Sequence, residues 1–434
     1  MSKLSAELMF ILLARREKKM KDGEYERRIE PLSTVDNKQL GLHWQTYFSA
    51  LNGEVMGEKS KNSKFATYAQ SNQTVAVVMP AYFESIYDMV QKVDPALARI
   101  YFFWNVIRTM APHMGSSMQA IYTQLQWLVV DNYVAPEQWE KCVRETNEAT
   151  GWIVGHFYHR HTLPAAELAR AETLVSQLRH NISVASWKDV NVTIGRPAFG
   201  ESVADLHAFY AGMTTDVKSY FSNVLAHRRF AVLQRMNKLT GEYRAMDDTY
   251  LPQSTEMVVD PKHKHIYVPA GFLQSPIYEE NVPEPVVVGS LGTQLARALL
   301  LVNGAEPDDD TGKCLIQQYN GARFTDKDIH VDGRRTLKSN YVDMKALSSS
   351  WALFSLTPTA NVTNQLLHYN DKQLFFLGYA QSMCSKSTQK FAVKQSSSSE
   401  SAPEQVRVNM AMRNLPVFPD VFHCPSSPSV RTCN

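Results

Sequence analysis

The chain has 434 residues, of which 44% are hydrophobic and 20% are charged, and its formal net charge is +2. This length and composition predict a folded protein with a sizeable core, divided into two lobes, and they do not favour a disordered chain. The nearly balanced charge excludes the strongly basic surface that nucleic-acid binding requires, so no nucleic-acid partner is expected.

The first apolar run extends from Leu8 to Ala14 and precedes the charged stretch "RREKKMKDGEYERR". A secretory signal carries its positive charge before the apolar run, so we interpret this region as an amphipathic helix with a solvated continuation. No apolar run approaches the length that crosses a bilayer, and we expect no membrane span. The sequence as given predicts neither a signal nor an anchor.

A mostly helical pattern extends from Met1 to about Gly195. Apolar and aromatic residues recur at helical spacing in "VAVVMPAYFESIYDMVQKV" and "PALARIYFFWNVIRTMAPHMGSSMQAIYTQLQWLVV". Proline residues at positions 80, 95 and 136 predict short turns between separate helices. Helix is also predicted in "PAAELARAETLVSQLRHNI" and, as one long amphipathic segment, in "VADLHAFYAGMTTDVKSYFSNVLAHRRFAVLQRM".

The residue composition changes near Leu251, where Pro and Gly become frequent and "KHIYVP" and "EPVVVGS" predict short strands. We therefore expect a helical lobe at residues 1–250 and a second lobe at residues 251–434. The serine run from Ser396 to Ser399 predicts a polar, mobile loop.

A family resemblance begins in "HIYVPAGFLQSPIYEENVPEP", which is followed by a glycine-rich turn and a helix. This stretch resembles the neprilysin and endothelin-converting-enzyme family of zinc endopeptidases, whose "PAGxLQxP" motif stands here as Pro269, Ala270, Gly271, Leu273, Gln274 and Pro276. Other segments of this sequence also resemble motifs of the family. They are "WEKCV", "SWKD" and "IGRP" upstream, and "LHYNDKQLFFLGYAQSMCS" and "VRVNMAMRNLPVFPDVFHC" downstream. The resemblance implies a mainly α, two-lobed, zincin-like fold with a small mixed α/β portion in the second lobe. It also implies that the family's membrane anchor and the first part of its helical lobe are absent.

The family's zinc-binding helix corresponds to "PVVVGSLGTQLARALLLVNG", Pro285 to Gly304. In the family, this helix carries HExxH, in which two histidines bind zinc and the glutamate acts as general base. The first histidine, the base and the second histidine fall on Arg297, Ala298 and Leu301. None of these side chains can bind a metal or accept a proton from water.

The other family positions are matched in the same way. The third zinc ligand falls on Ser339, and the aspartate that orients a ligand histidine is retained as Asp343. The family's transition-state histidine falls near Ser401, and its substrate-binding arginine is retained as Arg407. The substrate-gripping Asn-Ala pair falls on Glu256 and Met257.

These replacements predict a catalytically inactive homologue without zinc, which can still bind peptides through strand addition and Arg407. Because a buried arginine is costly without a carboxylate, we expect Arg297 to pair with Asp343. Two alternatives remain open: a zinc endopeptidase with a rearranged site, and a truncated product that does not fold. The sequence indicates neither a particular peptide nor an oligomeric state.

The rearranged site would draw its ligands from "HFYHRH", which contains His156, His159 and His161. Their spacing fits no single helix face, so a surface or helix-end cluster is favoured. We interpret "KHKH" at Lys262 to His265 as a solvated loop and "EPDDD" at Glu306 to Asp310 as an exposed loop.

The chain contains five cysteines. The resemblance implies a disulfide between Cys314 and Cys433 and leaves Cys142, Cys384 and Cys424 without partners; the alternative is that all five are reduced thiols inside a cell. Glycosylation sequons begin at Asn72, Asn181, Asn191 and Asn361. The family resemblance implies an extracellular or cell-surface location.

Overall fold

The computed structural model describes residues 27–37, 43–57, 64–70, 73–78, 80–130, 133–181, 189–195, 202–239, 250–279, 281–324, 329–356, 368–424 and 432–433. The protein is 67% helical with few strands, which confirms the mainly α fold. It divides into two compact units, unit 1 with residues 1–149 and 207–246, and unit 2 with residues 150–206 and 247–434.

Unit 1 is built from helices and one two-stranded antiparallel sheet, formed by β1 and β2. Its elements are β1 (Arg27–Pro31), α1 (Leu32–Asn37), α2 (Trp44–Met56), α3 (Lys64–Gln70), β2 (Thr74–Val78), α4 (Pro80–Lys92), α5 (Pro95–Met110), a 3₁₀ turn (Ala111–His113), α6 (Ser116–Val129), the first half of α7 (Gln138–Thr162) and α10 (Tyr220–Leu239). α9 (Val203–Tyr210) and α7 each cross between the units. The backbone of α7 leaves helical geometry at Thr150, where unit 2 begins.

Unit 2 contains the order of strand, turn and helix that the resemblance implies around the PAG motif. Its elements are the second half of α7, α8 (Ala165–Asn181), β3 (Asn191–Gly195), β4 (Val258–Asp260), β5 (His265–Pro269), α11 (Glu284–Val287), a π turn (Val288–Gly292), α12 (Thr293–Val302), α13 (Asp309–Asn320), β6 (Arg323–Phe324), β7 (Ile329–His330), α14 (Leu337–Leu356), α15 (Asp371–Ser382), α16 (Gln389–Ser398), α17 (Glu404–Arg413) and α18 (Val417–Val421).

The division of the chain differs from a single boundary near residue 250, because residues 150–206 belong to unit 2. The reason is pairing across the sequence: β3 runs parallel to β5, with Asn191 opposite His265, and β4 runs antiparallel to β5 on its other side. The sheet order is thus β3-β5-β4, and all five residues of β5 are buried. The assignment of residues 1–250 and 251–434 to a helical and a peptidase lobe stays a prediction.

The glycine-rich entry to α12 packs its backbone directly against α15. A Cβ atom added at Gly289 would lie 2.0 Å from the carbonyl oxygen of Phe375, and one added at Gly378 would lie 2.4 Å from that of Val286. Only glycine permits this reciprocal approach, since real Cβ atoms do not come so close to backbone oxygens. The approach places α12 in the centre of the hydrophobic core, against α14 and β5.

Four local predictions were wrong. The stretch from Val75 to Val78 is strand β2, because β-branched residues favour a strand and Pro80 disfavours helix at the residue before it. "EPVVVGS" forms α11 and the π turn, since a short buried apolar run fits a core helix as well as a strand. The serine run from Ser396 to Ser398 ends α16, whose first turn is capped by the Thr388 hydroxyl. The segment predicted as one long helix after Ser202 forms two, α9 and α10.

The continuous helical stretch Glu284–Val302 is long and apolar enough to cross a membrane, contrary to the expectation that no run reaches that length. Within its most apolar 18 residues, 67% are buried inside the folded protein. Burial of this extent is also typical of a core helix, so length and composition here are only weak support for a membrane span.

The disulfide between Cys314 and Cys433 is present, and it joins positions 119 residues apart. The Asn414 carboxamide oxygen accepts a hydrogen bond of 2.8 Å from the Cys433 backbone, which fixes the tail beside α13 and α17. Cys142, Cys384 and Cys424 are free and exposed, as the resemblance implies.

Candidate functional site

α12 carries a single arginine among apolar residues. The helix ends are Thr293 and Val302, and Arg297 is its only charged side chain. Ala298 is buried and Leu301 is partly buried against the core. The Arg297 side chain retains 23% of its exposure, so it reaches the border between the core and solvent.

Asp343 lies on α14 with a side chain that has no exposure to solvent. Nε of Arg297 donates a hydrogen bond of 2.8 Å to Oδ1 of Asp343. The expected pairing of these two residues is therefore present, and it supplies the carboxylate that a buried guanidinium requires.

A second arginine binds the same carboxylate. Arg407 extends from α17 and donates from Nε to Oδ2 of Asp343 at 2.7 Å and from Nη2 to Oδ1 at 2.9 Å. This is a bidentate pair, the strongest arrangement between guanidinium and carboxylate. Sequence reasoning missed this contact, because positions 64 residues apart meet only after α14 and α17 have packed.

Two serines complete the group. Ser339 precedes Asp343 by one helical turn and accepts a hydrogen bond of 3.4 Å from Nη2 of Arg297. Its Oγ lies 3.0 Å from Oγ of Ser401, which follows α16 in the chain. The five positions that the resemblance marks as metal, substrate or transition-state sites, Arg297, Ser339, Asp343, Ser401 and Arg407, thus form one connected hydrogen-bonded set, named here the arginine cluster.

The charges of the arginine cluster do not cancel. Burial alone would raise the pKa of Asp343, but attraction and hydrogen bonding from Arg407, and then from Arg297, hold this pKa below its usual range. Asp343 is therefore ionised at neutral pH. One carboxylate and two guanidiniums leave a net charge of +1 at a largely buried position.

Two buried tyrosines lie within electrostatic range of the cluster, Tyr319 on α13 and Tyr379 on α15. Both have 0% exposure, and neither hydroxyl has a hydrogen-bond partner among the described residues. Burial, and then the negative charge of Asp343, raises the pKa of both phenols. Both stay neutral, with a hydroxyl free to bond a further polar atom.

The side chains at these positions do not fit zinc. A zinc site needs imidazole, thiolate or carboxylate donors, whereas Arg297 offers only N–H groups, Leu301 is apolar and Ser339 is a neutral hydroxyl. The carboxylate of Asp343 is already bound by two arginines. Within the described ranges, no three His, Cys, Asp or Glu side chains form a group that could hold a metal ion.

The three histidines lie at the end of α7, as one of the two predicted placements had it, but they are not a surface cluster. His156 and His159 are buried, with exposures of 3% and 5%, and only His161 is exposed. Nδ1 of His159 lies 2.9 Å from the Gly155 carbonyl oxygen, one turn earlier in the helix. Both rings lie in the half of α7 that belongs to unit 2.

Two further loop predictions need correction. His265, expected in a solvated loop, is the buried first residue of β5, and its Nε2 lies 2.9 Å from the Thr193 hydroxyl. In the acidic stretch, the Asp308 carboxylate caps the N-terminus of α13, and Asp309 and Asp310 form its first turn, where acidic residues complement the helix dipole.

The positions matched to the substrate-gripping pair lie immediately before β4. Glu256 is exposed, and Met257 packs partly buried against the core. β4 is an edge strand that bonds β5 on one side, and α12 packs against it. The arginine-bearing helix therefore adjoins a strand whose second edge has no strand partner among the described residues.

The remaining predicted positions are placed only in part. Asn191 is exposed at the start of β3, and Asn181 is the last residue of α8. Asn72, Asn361 and the apolar run from Leu8 to Ala14 lie outside the described residues.

The fold is similar to that of known zinc metalloproteases. Zinc metalloprotease Zmp1 of Mycobacterium tuberculosis aligns with a TM-score of 0.73 and 18% identity, covering 100% of this chain and 71% of that one. PepO of Lactobacillus rhamnosis aligns with a TM-score of 0.68 and 20% identity, covering 89% of this chain and 65% of that one. At this identity the likeness concerns the fold.

Sequence comparison gives a matching result. An endothelin-converting enzyme homolog of Locusta migratoria is 23% identical over 91% of this chain and 59% of its own length. Neprilysin-3 of Drosophila melanogaster is 22% identical over 81% of this chain and 50% of its own length. This chain thus spans between half and three fifths of these relatives. Both sequence profiles of peptidase family M13 match, one at residues 4–184 and the other at residues 297–432. The chain belongs to peptidase family M13, the family of neprilysin and endothelin-converting enzyme.

Proposed function

We propose that this chain is a catalytically inactive member of its family that binds peptides without cleaving them. The observation that carries the proposal is the Arg297–Asp343–Arg407 set, in which a guanidinium occupies the position that the resemblance assigns to a zinc ligand. Metal-assisted hydrolysis needs donors with a lone pair and a base near the attacking water. Arg297 and Ala298 supply neither.

Peptide binding is supported by the edge strand β4. A strand with an unpaired edge can take up an extended peptide through backbone hydrogen bonds, while adjacent side chains select the sequence. α12 packs against β4, so the arginine cluster belongs to the same region of unit 2 as that edge. This is the arrangement that a peptide cleft without hydrolytic chemistry would need.

The metal content of the purified chain tests the catalytic half of the proposal. The protein, loaded with excess zinc and desalted, should retain far less than one zinc per chain and should not hydrolyse a mixed peptide substrate. One zinc per chain together with hydrolysis that a chelator abolishes would overturn the proposal.

A reconstructed site provides the positive control. The combined variant Arg297→His, Ala298→Glu, Leu301→His and Ser339→Glu restores the family's ligands and base at the matched positions. If the matching is right, this variant should retain about one zinc per chain, since three correctly placed ligands suffice for a catalytic zinc site. The same variant without Ser339→Glu has one ligand fewer and should bind zinc more weakly.

A further inference from the structure

The arginine cluster has an unbalanced positive charge. Arg297 and Arg407 share one carboxylate, so the hydrogen-bonded set has a net charge of +1. The Glu404 carboxylate also attracts Arg407, but it lies outside this set and accepts hydrogen bonds from Ser385 and Gln395 instead. The side chains retain only 23% and 13% of their exposure, so water screens this charge poorly. A partly buried excess charge favours a counter-ion of opposite sign.

The cluster also has unused donors. Each guanidinium has five N–H groups. Arg297 uses Nε and Nη2, and Arg407 uses Nε and Nη2. Among the described residues, Nη1 of either arginine has no protein acceptor within hydrogen-bond distance. The donors that Asp343 leaves free are therefore available to a ligand at the border of the core.

Unpaired hydroxyls give a second, independent indication of a ligand. The buried hydroxyls of Tyr319 and Tyr379 have no hydrogen-bond partner among the described residues, although both side chains have 0% exposure. Buried polar atoms are nearly always bonded, and an unpaired pair beside a charged cluster points to a ligand or ordered water. The adjoining hydroxyls of Ser339 and Ser401 can supply further donors.

We propose that the arginine cluster is a binding site for the carboxylate group of a peptide. The inference rests on the proposed function, and it names the chemical group that selects the peptide. A carboxylate carries a single negative charge, which balances the +1 of the cluster, and its two oxygens match the fork of a guanidinium. A doubly charged phosphate would leave a surplus negative charge beside the buried Asp343 carboxylate. The carboxylate comes from the peptide C-terminus or from an acidic side chain.

Matched peptides distinguish these sources. The first pair, N-acetyl-leucyl-phenylalanine and its C-terminal amide, differs only in the C-terminal carboxylate. The second pair, N-acetyl-leucyl-glutamate amide and N-acetyl-leucyl-glutamine amide, differs only in a side-chain carboxylate. The affinity of each peptide is measured by calorimetric titration at constant ionic strength. In at least one pair, the peptide with the carboxylate should bind roughly tenfold or more tightly, as expected for a charge-assisted hydrogen bond. Equal affinity within both pairs would overturn the inference.

Arg297→Gln tests whether the cluster is responsible. This variant leaves Asp343 and Arg407 as a neutral pair, so it should fold while the preference for the carboxylate falls to near one. Arg413→Gln removes an exposed arginine from the end of the same helix as Arg407 and should keep the preference. A preference that survives Arg297→Gln in folded protein would overturn the inference, and thermal unfolding of each variant establishes that it is folded.

Acetate separates the carboxylate site from peptide binding. At constant ionic strength, acetate should raise the unfolding temperature of the wild type above that in chloride, and Arg297→Gln should lose this difference. If no peptide binds but acetate stabilises only the wild type, the carboxylate site stands and the peptide-binding function fails. If the amides bind as well as the acids, and acetate has no effect, peptide binding stands and the carboxylate site fails.

Discussion

Replacing Asp343 by Asn is the sharpest test of what holds the arginine cluster together. The substitution keeps the shape of the side chain but removes the negative charge that two guanidiniums share. Because the Asp343 side chain has no exposure to solvent, water cannot compensate for the lost charge. It also weakens three charge-assisted hydrogen bonds, at 2.7, 2.8 and 2.9 Å. Removing one partner of a buried ion pair costs about 3–5 kcal/mol. We expect a loss in that range, since Arg407 would remain buried without a counter-charge.

The expected magnitude for Arg297→Gln is smaller, about 1–2 kcal/mol, because the Asp343–Arg407 pair survives and Arg297 keeps contact with water. The two substitutions should not be additive, with a coupling of about 1 kcal/mol or more. Hydrogen exchange of the α14 amides measures these losses within unit 2 alone. An Asp343→Asn variant within about 1 kcal/mol of the wild type would refute the assignment of the pair as a buried, mutually dependent charge group.

Three other predictions concern the same unit. Folding lowers the pKa of Asp343, so the stability that its carboxylate contributes is fully present above the ordinary carboxyl pKa and is lost as the pH falls below about 4. In that pH range, the free energy of unfolding of Asp343→Asn should therefore fall less steeply with decreasing pH than that of the wild type. Removing the disulfide through Cys314→Ser and Cys433→Ser should lower the free energy of unfolding by up to about 5 kcal/mol, the chain-entropy figure for a loop of 119 residues, as measured by urea unfolding. Gly289→Ala should disrupt unit 2, since the added Cβ would lie 2.0 Å from the Phe375 carbonyl oxygen. The matched control is Gly312→Ala inside α13, where no atom lies closer than 3.7 Å to the added Cβ, and it should be neutral or stabilise the protein by about 0.5–1 kcal/mol. Equal thermal stability of the two variants would contradict the packing argument.

Long helices and the PAG strand were predictable because each depends on local pattern. α5, α6 and α8 follow apolar spacing with prolines between or beside them, and β5 follows a short apolar stretch that ends at Pro269. Two of the failures concern short valine-rich runs, at Val75–Val78 and Pro285–Val288. Such runs are equally apolar on every face, so only the tertiary environment decides between strand and helix.

The candidate site was predictable in its residues but only partly in its contacts. The motif order fixed the positions of Arg297, Ser339 and Asp343, and the cost of a buried charge predicted the first ion pair. The second ion pair and the Ser339–Ser401 contact bring together helices distant in sequence. No periodicity encodes which side of a carboxylate a distant arginine will approach.

The replacements in the cluster are linked by charge. In the family that the chain resembles, the site combines a doubly positive zinc ion with two glutamates, one a ligand and one the base, so that these three charges cancel. If the chain binds no zinc, as proposed, the metal and both glutamates are absent together, with Ala298 and Ser339 at the glutamate positions, and the balance of Asp343 and Arg407 is unchanged. Absence of the metal alone would leave two carboxylates beside a buried aspartate. Arg297 is then the single added charge, and it is the reason that the set is positive. Carboxylate binding should therefore depend on Arg297, which replaced a ligand, more than on the retained Arg407, which Asp343 already binds through two hydrogen bonds.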